Sequence, residues 1–253
     1  MIRKLALALL LSFTVSTQAT NSSENHTFVI VHGATGGGWD WKEVSAHLIS
    51  KGHIVYRPTL TGLGERQHLA NKDIGLSTHI NDIVNTILFE DLHDVVLVGH
   101  SYGGMVITGV INEIPERVNH LTFLDAMVPN DGMSMLEEMV LPENDKIVDG
   151  QIVFSWVDLE APFPRDVPHP HKSFTEKVSY SNPIAKKIDA TYVAFIPEDI
   201  PKEQREKTPS WQRAIERNWT IRTFDGNHII YREKPAEIAD LIEATANDKN
   251  SIK

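Results

Sequence analysis

Asp94-Val95-Val96-Leu97-Val98-Gly99-His100-Ser101-Tyr102-Gly103-Gly104-Met105 is the stretch whose reading decides the fold of this chain. Asp94 to Val98 carries a short, β-branched apolar run, the signature of a strand buried on both faces. Met105, Val106, Val110 and Ile111 then recur at helical spacing, and the helix they mark ends before Pro115. Between the two lies Gly99-His-Ser-Tyr-Gly103. A G-x-S-x-G pattern alone is weak, because five residues arise often by chance. Placed between a buried strand and a buried helix, it predicts a sharp turn that holds Ser101 in a strained backbone and lifts its side chain above the strand end. Gly99 and Gly103 flank the turn because a Cβ at either position would meet the neighbouring strand or helix.

Working outward, the same alternation repeats. Thr27 to Val31 and His53 to Tyr56 read as strands, with a helix between them that carries Trp41, Val44 and Leu48 and stops at Gly52. Ile80, Ile83, Val84, Ile87 and Leu88 define an amphipathic helix before the deciding stretch, and Leu121 to Leu124 a strand after it. Ala190 to Ile196 and Trp219 to Phe224 are later strands; Pro209 and Pro235 open later helices. Strands alternating with helices predict an α/β fold with a mostly parallel sheet and helices on both faces. From about residue 129 to 188 the alternation breaks. Prolines there sit among Met133, Met135, Met139, Phe154, Trp156, Phe163 and Phe174, too many large apolar groups for a linker. One domain, residues 20–253, with an inserted cap is the expectation.

The 253 residues carry 24 Lys and Arg against 34 Asp and Glu, a net charge of −10, and no Cys. An acidic chain lacks the basic face that nucleic acid requires, so that partner class is set aside. Without Cys there are no disulfides, no thiol nucleophile and no thiolate metal site. Arg3 and Lys4 precede the apolar run Leu5 to Leu11, and Thr17-Gln18-Ala19 offers small residues for cleavage. Residues 1–19 therefore read as a signal peptide, too short in its apolar part to span a bilayer. An exported product, periplasmic or secreted, is expected.

A serine hydroxyl needs a base within reach, itself oriented by a carboxylate. His228, in Asp225-Gly226-Asn227-His228, follows the last strand and is the last histidine of the chain. His32 and His100 are read as packing or backbone-positioning residues. His169 and His171 form too sparse a set for a metal, and no metal or other cofactor is expected. For the acid, Asp199 follows the strand ending at Ile196 and precedes His228 in the chain order serine, acid, histidine; Glu198 beside it and Asp125 at the end of an earlier strand are the alternatives. The backbone N–H groups of Tyr102, at the start of the helix, and of Ala34, in the Gly-rich loop His32 to Gly38, are the candidate donors to an oxyanion.

These residues resemble a known group. Phe28-Val-Ile-Val-His-Gly-Ala34, Trp39-Asp-Trp41, Gly52-His53, Gly99-His-Ser-Tyr-Gly-Gly-Met105 and Leu124-Asp-Ala-Met-Val-Pro129 look like the α/β-hydrolase fold of plant methylesterases and hydroxynitrile lyases. Leu60-Thr-Gly-Leu-Gly-Glu-Arg66 with His68-Leu69 looks like its bacterial esterase members. The resemblance covers about residues 27–245 and is weakest in the cap. It implies the triad Ser101, Asp199 and His228, with Ala34 and Tyr102 as oxyanion donors. It also implies a cofactor-free esterase for a small-molecule, largely apolar ester, with Phe154, Trp156, Phe163, Phe174 and Ile229 walling the pocket. The lyases of this group place Thr after the first-strand His and Lys after the catalytic His, whereas this chain has Gly33 and Ile229. Lyase chemistry, amide or carbamate cleavage, and a non-catalytic binding module are the competing readings.

Overall fold

A computed structural model describes residues 25–139 and 141–250. The expected signal peptide, residues 1–19, lies outside the described residues. The elements in chain order are β1 (Thr27–Val31), α1 (Lys42–Ser50), β2 (Ile54–Tyr56), α2 (Leu76–Phe89), β3 (Val95–His100), α3 (Gly103–Glu113) and β4 (Val118–Leu124). The cap follows, with α4 (Met135–Glu138), β5 (Lys146–Val148), β6 (Gln151–Val153), β7 (His169–Pro170) and α5 (Lys172–Thr175). The chain then returns through β8 (Asp189–Ile196), α6 (Lys202–Arg205), α7 (Pro209–Glu216), β9 (Thr220–Asp225) and α8 (Pro235–Thr245). Six strands form one sheet in the order β2-β1-β3-β4-β8-β9, and every pairing is parallel. The deciding strand, β3, therefore stands near the centre.

Side-chain alternation divides the core between the two faces. Val29, Val31, Val95 and Leu97 turn toward α2, α3, α7 and the cap, while Phe28, Ile30, Val96 and Val98 turn toward α1 and α8. Because helices cover both faces, β3 is buried along its whole length and reads as an unbroken apolar run. Helix α3 is buried from Gly103 to Ile111, since it lies between the sheet and α2. Each such buried Val, Leu or Ile contributes about 1.5–3 kcal/mol over its exposed state.

The cap builds a small antiparallel sheet, β5-β6-β7, and sits over the carboxyl ends of β1, β3 and β4. It is tied down by charge as well as packing. Glu176 accepts hydrogen bonds from the N–H and hydroxyl of Ser77, at 2.9 and 3.0 Å, in the first turn of α2. A carboxylate there also faces the positive end of the helix.

Candidate active site

Ser101 follows β3 directly, at φ 53°, in the left-handed region that non-glycine residues rarely enter. The crowding expected of its flanking glycines is present. A Cβ on Gly103 would lie 2.6 Å from the Val31 carbonyl oxygen, and one on Gly99 would lie 2.8 Å from the Gly103 oxygen. Tyr102 is the N-cap of α3, so its N–H sits where the helix dipole is positive. Its ring turns away from the site, buried and stacked on Phe174, and its hydroxyl donates to His79 Nδ1 at 2.8 Å. His79 Nε2–H donates in turn to the Thr61 carbonyl, which fixes the tautomer, and burial pulls the imidazole down to about 4.

His228 lies three residues beyond β9 and is half exposed, with 49% of its side chain accessible. Its Nδ1 is 2.6 Å from Asp125 Oδ2. The expectation that Asp199 orients this histidine is corrected here. Asp199 and Glu198 are both exposed in the turn after β8, whereas Asp125, at the carboxyl end of β4, is only 7% exposed and aimed at the ring. The reason is geometric: β4 adjoins β3 in the sheet, so a residue at its tip falls beside the serine turn, and its φ of 45° swings the carboxylate toward the histidine loop. The other oxygen, Oδ1, accepts the Phe195 N–H at 3.3 Å and a guanidinium N–H from Arg205 on α6.

His32 and His100 hold backbone, as read from the sequence. His100 Nε2–H donates to the His228 carbonyl at 2.9 Å, fixing the histidine loop from below. His32 accepts the Leu60 N–H at Nε2 and donates from Nδ1 to the Gly33 carbonyl at 2.8 Å. That carbonyl and the Ala34 N–H belong to one trans peptide and point in opposite directions, so anchoring the first aims the second. Burial lowers the proton affinity of both imidazoles and keeps them neutral. Among the described residues no acceptor takes the N–H of Ala34 or Tyr102, and Ser101 Oγ carries no hydrogen bond. Such contacts tighten when a substrate is present.

Ser101, Ala34, Asp125 and His228 share one cavity of about 830 Å³. Met127, Met135, Met139, Phe154, Trp156 and Phe174 supply its apolar wall, and Ile229 stands at its mouth. Phe154 and Phe174 are fully buried, so they are cap core and pocket wall at once. Phe163 is not part of the wall: it is 69% exposed, with the Arg165 guanidinium over its ring. A polar corner was not foreseen. Arg232 grips both oxygens of Asp40 at 2.7 Å, Tyr231 donates to the same carboxylate at 2.6 Å, and Arg232 reaches Asp166 of the cap at 3.4 Å. Asp40, Asp166 and the adjacent pair Tyr231-Arg232 lie far apart in the chain, and no spacing links the three. Among the described residues no cluster of His, Asp and Glu is suited to hold a metal ion, and no helix is long and apolar enough to cross a membrane.

Comparison with known proteins places this architecture. The chain is 49% identical over 119 residues to a carbendazim hydrolyzing esterase of Nocardioides sp. (strain SG-4G), covering 46% of this chain and 49% of that protein. It is 32% identical over 105 residues to methylesterase 1 of Arabidopsis thaliana, covering 41% of this chain and 40% of that protein. The chain thus spans about half the length, or less, of the curated relatives it matches. Among solved structures, an extracellular alpha/beta-hydrolase from a Paenibacillus species superposes with a TM-score of 0.70 at 23% identity, over 88% of this chain and all of that one. A pyrethroid hydrolase superposes equally well, with a TM-score of 0.70 at 17% identity, over 88% of this chain and 98% of that one. Residues 28–241 match the alpha/beta hydrolase family, and the chain belongs to it.

Proposed function

We propose that this protein is a carboxylic-ester hydrolase that works through an acyl-enzyme on Ser101. The observation that carries the reading is the His228–Asp125 pair at 2.6 Å, set in the same cavity as a serine held at φ 53° above a helix N-terminus. Ser101 Oγ attacks the ester carbonyl while His228 Nε2 takes its proton. Asp125 keeps Nδ1 protonated and offsets the charge of the imidazolium that forms. The N–H groups of Ala34 and Tyr102 bind the oxyanion; His228 then gives its proton to the departing alcohol. Water repeats the sequence on the acyl-enzyme, so atoms and protons balance without a cofactor. The names of the curated relatives, esterases in both cases, support the bond type. The apolar wall of Met and aromatic residues favours small, largely uncharged esters. The amino-terminal pattern from Arg3 to Ala19 favours an exported protein.

The test is turnover of p-nitrophenyl and methyl aromatic esters, with a fluorophosphonate to label the nucleophile. Hydrolysis that vanishes with labelling of Ser101 alone is the expected result. Labelling of another residue, or no turnover of any ester, refutes it. Mandelonitrile serves as the control for lyase chemistry. Gly33 and Ile229 supply neither the hydroxyl nor the cation on which cyanide departure would depend, so cyanide should form at the uncatalysed rate.

A further inference from the structure

Thr35 follows the proposed oxyanion donor and lies at φ 65°, which a β-branched residue rarely adopts. Gly36 N–H returns to the Ala34 carbonyl at 2.8 Å, closing a γ-turn of the rare, strained sense around Thr35. The Thr35 hydroxyl donates to the same carbonyl at 2.6 Å. A turn of this kind persists only where its surroundings over-determine it.

Here the surroundings are the cap. Val167 N–H donates to the Thr35 carbonyl at 2.9 Å, and Thr35 N–H donates to His169 Nδ1 at 3.3 Å. Trp156 Nε1–H reaches the Thr35 hydroxyl at 3.4 Å. Both main-chain polar groups of one residue therefore end on the cap segment 167–169. The direction of the His169 contact is set from its other side: Nε2–H donates to Ser173 Oγ at 2.9 Å, and Ser173 passes its own proton to the Pro170 carbonyl at 2.8 Å. Nδ1 is left as a lone pair, and it faces the Thr35 N–H. His169 is fully buried, which keeps the ring in the neutral form that can accept.

We infer that His169, 134 positions along the chain from the loop it grips, is a positioning residue for the oxyanion hole. By holding Thr35 N–H it keeps the 34–36 turn closed, and with it the Ala34 N–H aimed at the reaction centre. The inference rests on the reading of Ala34 as an oxyanion donor. Together His32 and His169 grip the loop from opposite sides, one from the sheet and one from the cap. A cap that shifts therefore alters transition-state stabilisation as well as the shape of the pocket.

Two substitutions separate this role from simple packing. His169→Asn places an acceptor oxygen near the position of Nδ1, whereas His169→Gln places its polar atoms near Nε2 and leaves Thr35 N–H unpaired. Turnover is measured per active site titrated with a fluorophosphonate, which removes misfolded molecules from the count. His169→Gln should lower kcat about tenfold, part of the about 10²–10³ that losing an oxyanion donor costs, with KM within about twofold. His169→Asn should stay within about threefold of the wild type. The preference for an oxo ester over its thiono analogue should fall along with kcat, because sulfur is a poor acceptor in the hole. If His169→Gln does not fold, Ser173→Ala frees the ring to take the other tautomer and should reduce kcat and the oxo-to-thiono preference by about threefold. An unchanged preference in the variant measured, or equal losses in the Asn and Gln variants, overturns the inference. A wild-type protein that hydrolyses no ester brings down the hydrolase reading and this inference together, and is recognised before any variant is made.

Discussion

Two neighbouring strand ends do different work with the same backbone device. β3 ends in Ser101 at φ 53° and β4 ends in Asp125 at φ 45°, and each N–H bonds to the carbonyl of the next strand over, Leu124 for Ser101 and Val193 for Asp125. Met127 N–H then donates to the Ser101 carbonyl at 3.0 Å and ties the two corners together. What differs is the continuation. After Ser101 the chain enters α3 at once, so the corner gains a helix N-terminus and two crowded glycines. After Asp125 it runs extended into the cap, and the corner is closed from outside by Arg205. A nucleophile needs rigid exposure, which the turn itself provides. An orienting carboxylate needs burial and partners, which distant elements must bring.

The comparison breaks most visibly at the first corner. Ser101→Ala should remove ester turnover by at least about 10⁴-fold while leaving the melting temperature within a few degrees, since only the nucleophilic oxygen is lost. Residual turnover at a tenth of the wild-type rate would mean that another residue attacks. At the second corner, Asp125→Asn should lower kcat by about 10²–10⁴-fold, while Asp199→Asn and Glu198→Gln stay within about threefold. The reverse ranking would move the acid to the β8 loop and end the equivalence of the two corners.

A third measurement reads the buried histidines of the domain and its cap. His32, His79, His100 and His169 are held below 6.5 by burial, His79 to about 4, and His120 on β4 likewise falls to about 4. The unfolded chain takes up these protons first as pH falls, so their contribution is intact above about 6.5 and drains away between about 6.5 and 4. Each histidine adds up to about 1.4 kcal/mol per pH unit in that window. The denaturant midpoint should therefore drop steeply from pH 6.5 to 5; a flat profile would show that these rings charge freely in the folded state. The smallest effect belongs to Arg205→Met. It removes one of two donors on Asp125 Oδ1 and should lower kcat about three- to tenfold with KM nearly unchanged, checked by steady-state kinetics on a p-nitrophenyl ester. A loss as large as that of Asp125→Asn would make the guanidinium an equal partner in orienting the histidine.

Most of the sheet was legible because burial on both faces writes itself as apolar runs. Five of the six strands of the main sheet are legible to within two residues, and β4, expected from Leu121, begins three residues earlier at Val118, where Asn119 and His120 interrupt the apolar run. The serine corner and His228 were legible because local rules place them: glycine crowding at one, the end of the last strand at the other. The acid was not, because chain order favoured the loop after β8 while the choice depends on which carboxylate a neighbouring strand buries. Asp125 differs from Asp199 in burial and in Arg205, and neither shows in a string of letters. The cap was recognised as an insertion, but its wall was only partly legible. Aromatic composition cannot tell Phe174, buried against Tyr102, from Phe163, turned outward under Arg165. Short exposed elements such as β5 and α6 carry no apolar pattern to read.

An acid supplied by a strand tip has a bearing on how this scaffold can change. The turn from Pro197 to Pro201 has its two acidic residues in solvent, and among the described residues His228 Nδ1 bonds to Asp125 and not to this turn. Insertions or deletions there need not displace the carboxylate that the proposed mechanism uses, because Asp125 is registered by the β4–β8 ladder instead. Lengthening that turn becomes a way to remodel the rim beside Arg205 and Thr208, and so to change which substrates the proposed hydrolase would admit, provided Arg205 keeps its hold on Asp125. Variation in loop length would then accumulate on one side of the pocket while the reacting atoms stay in register.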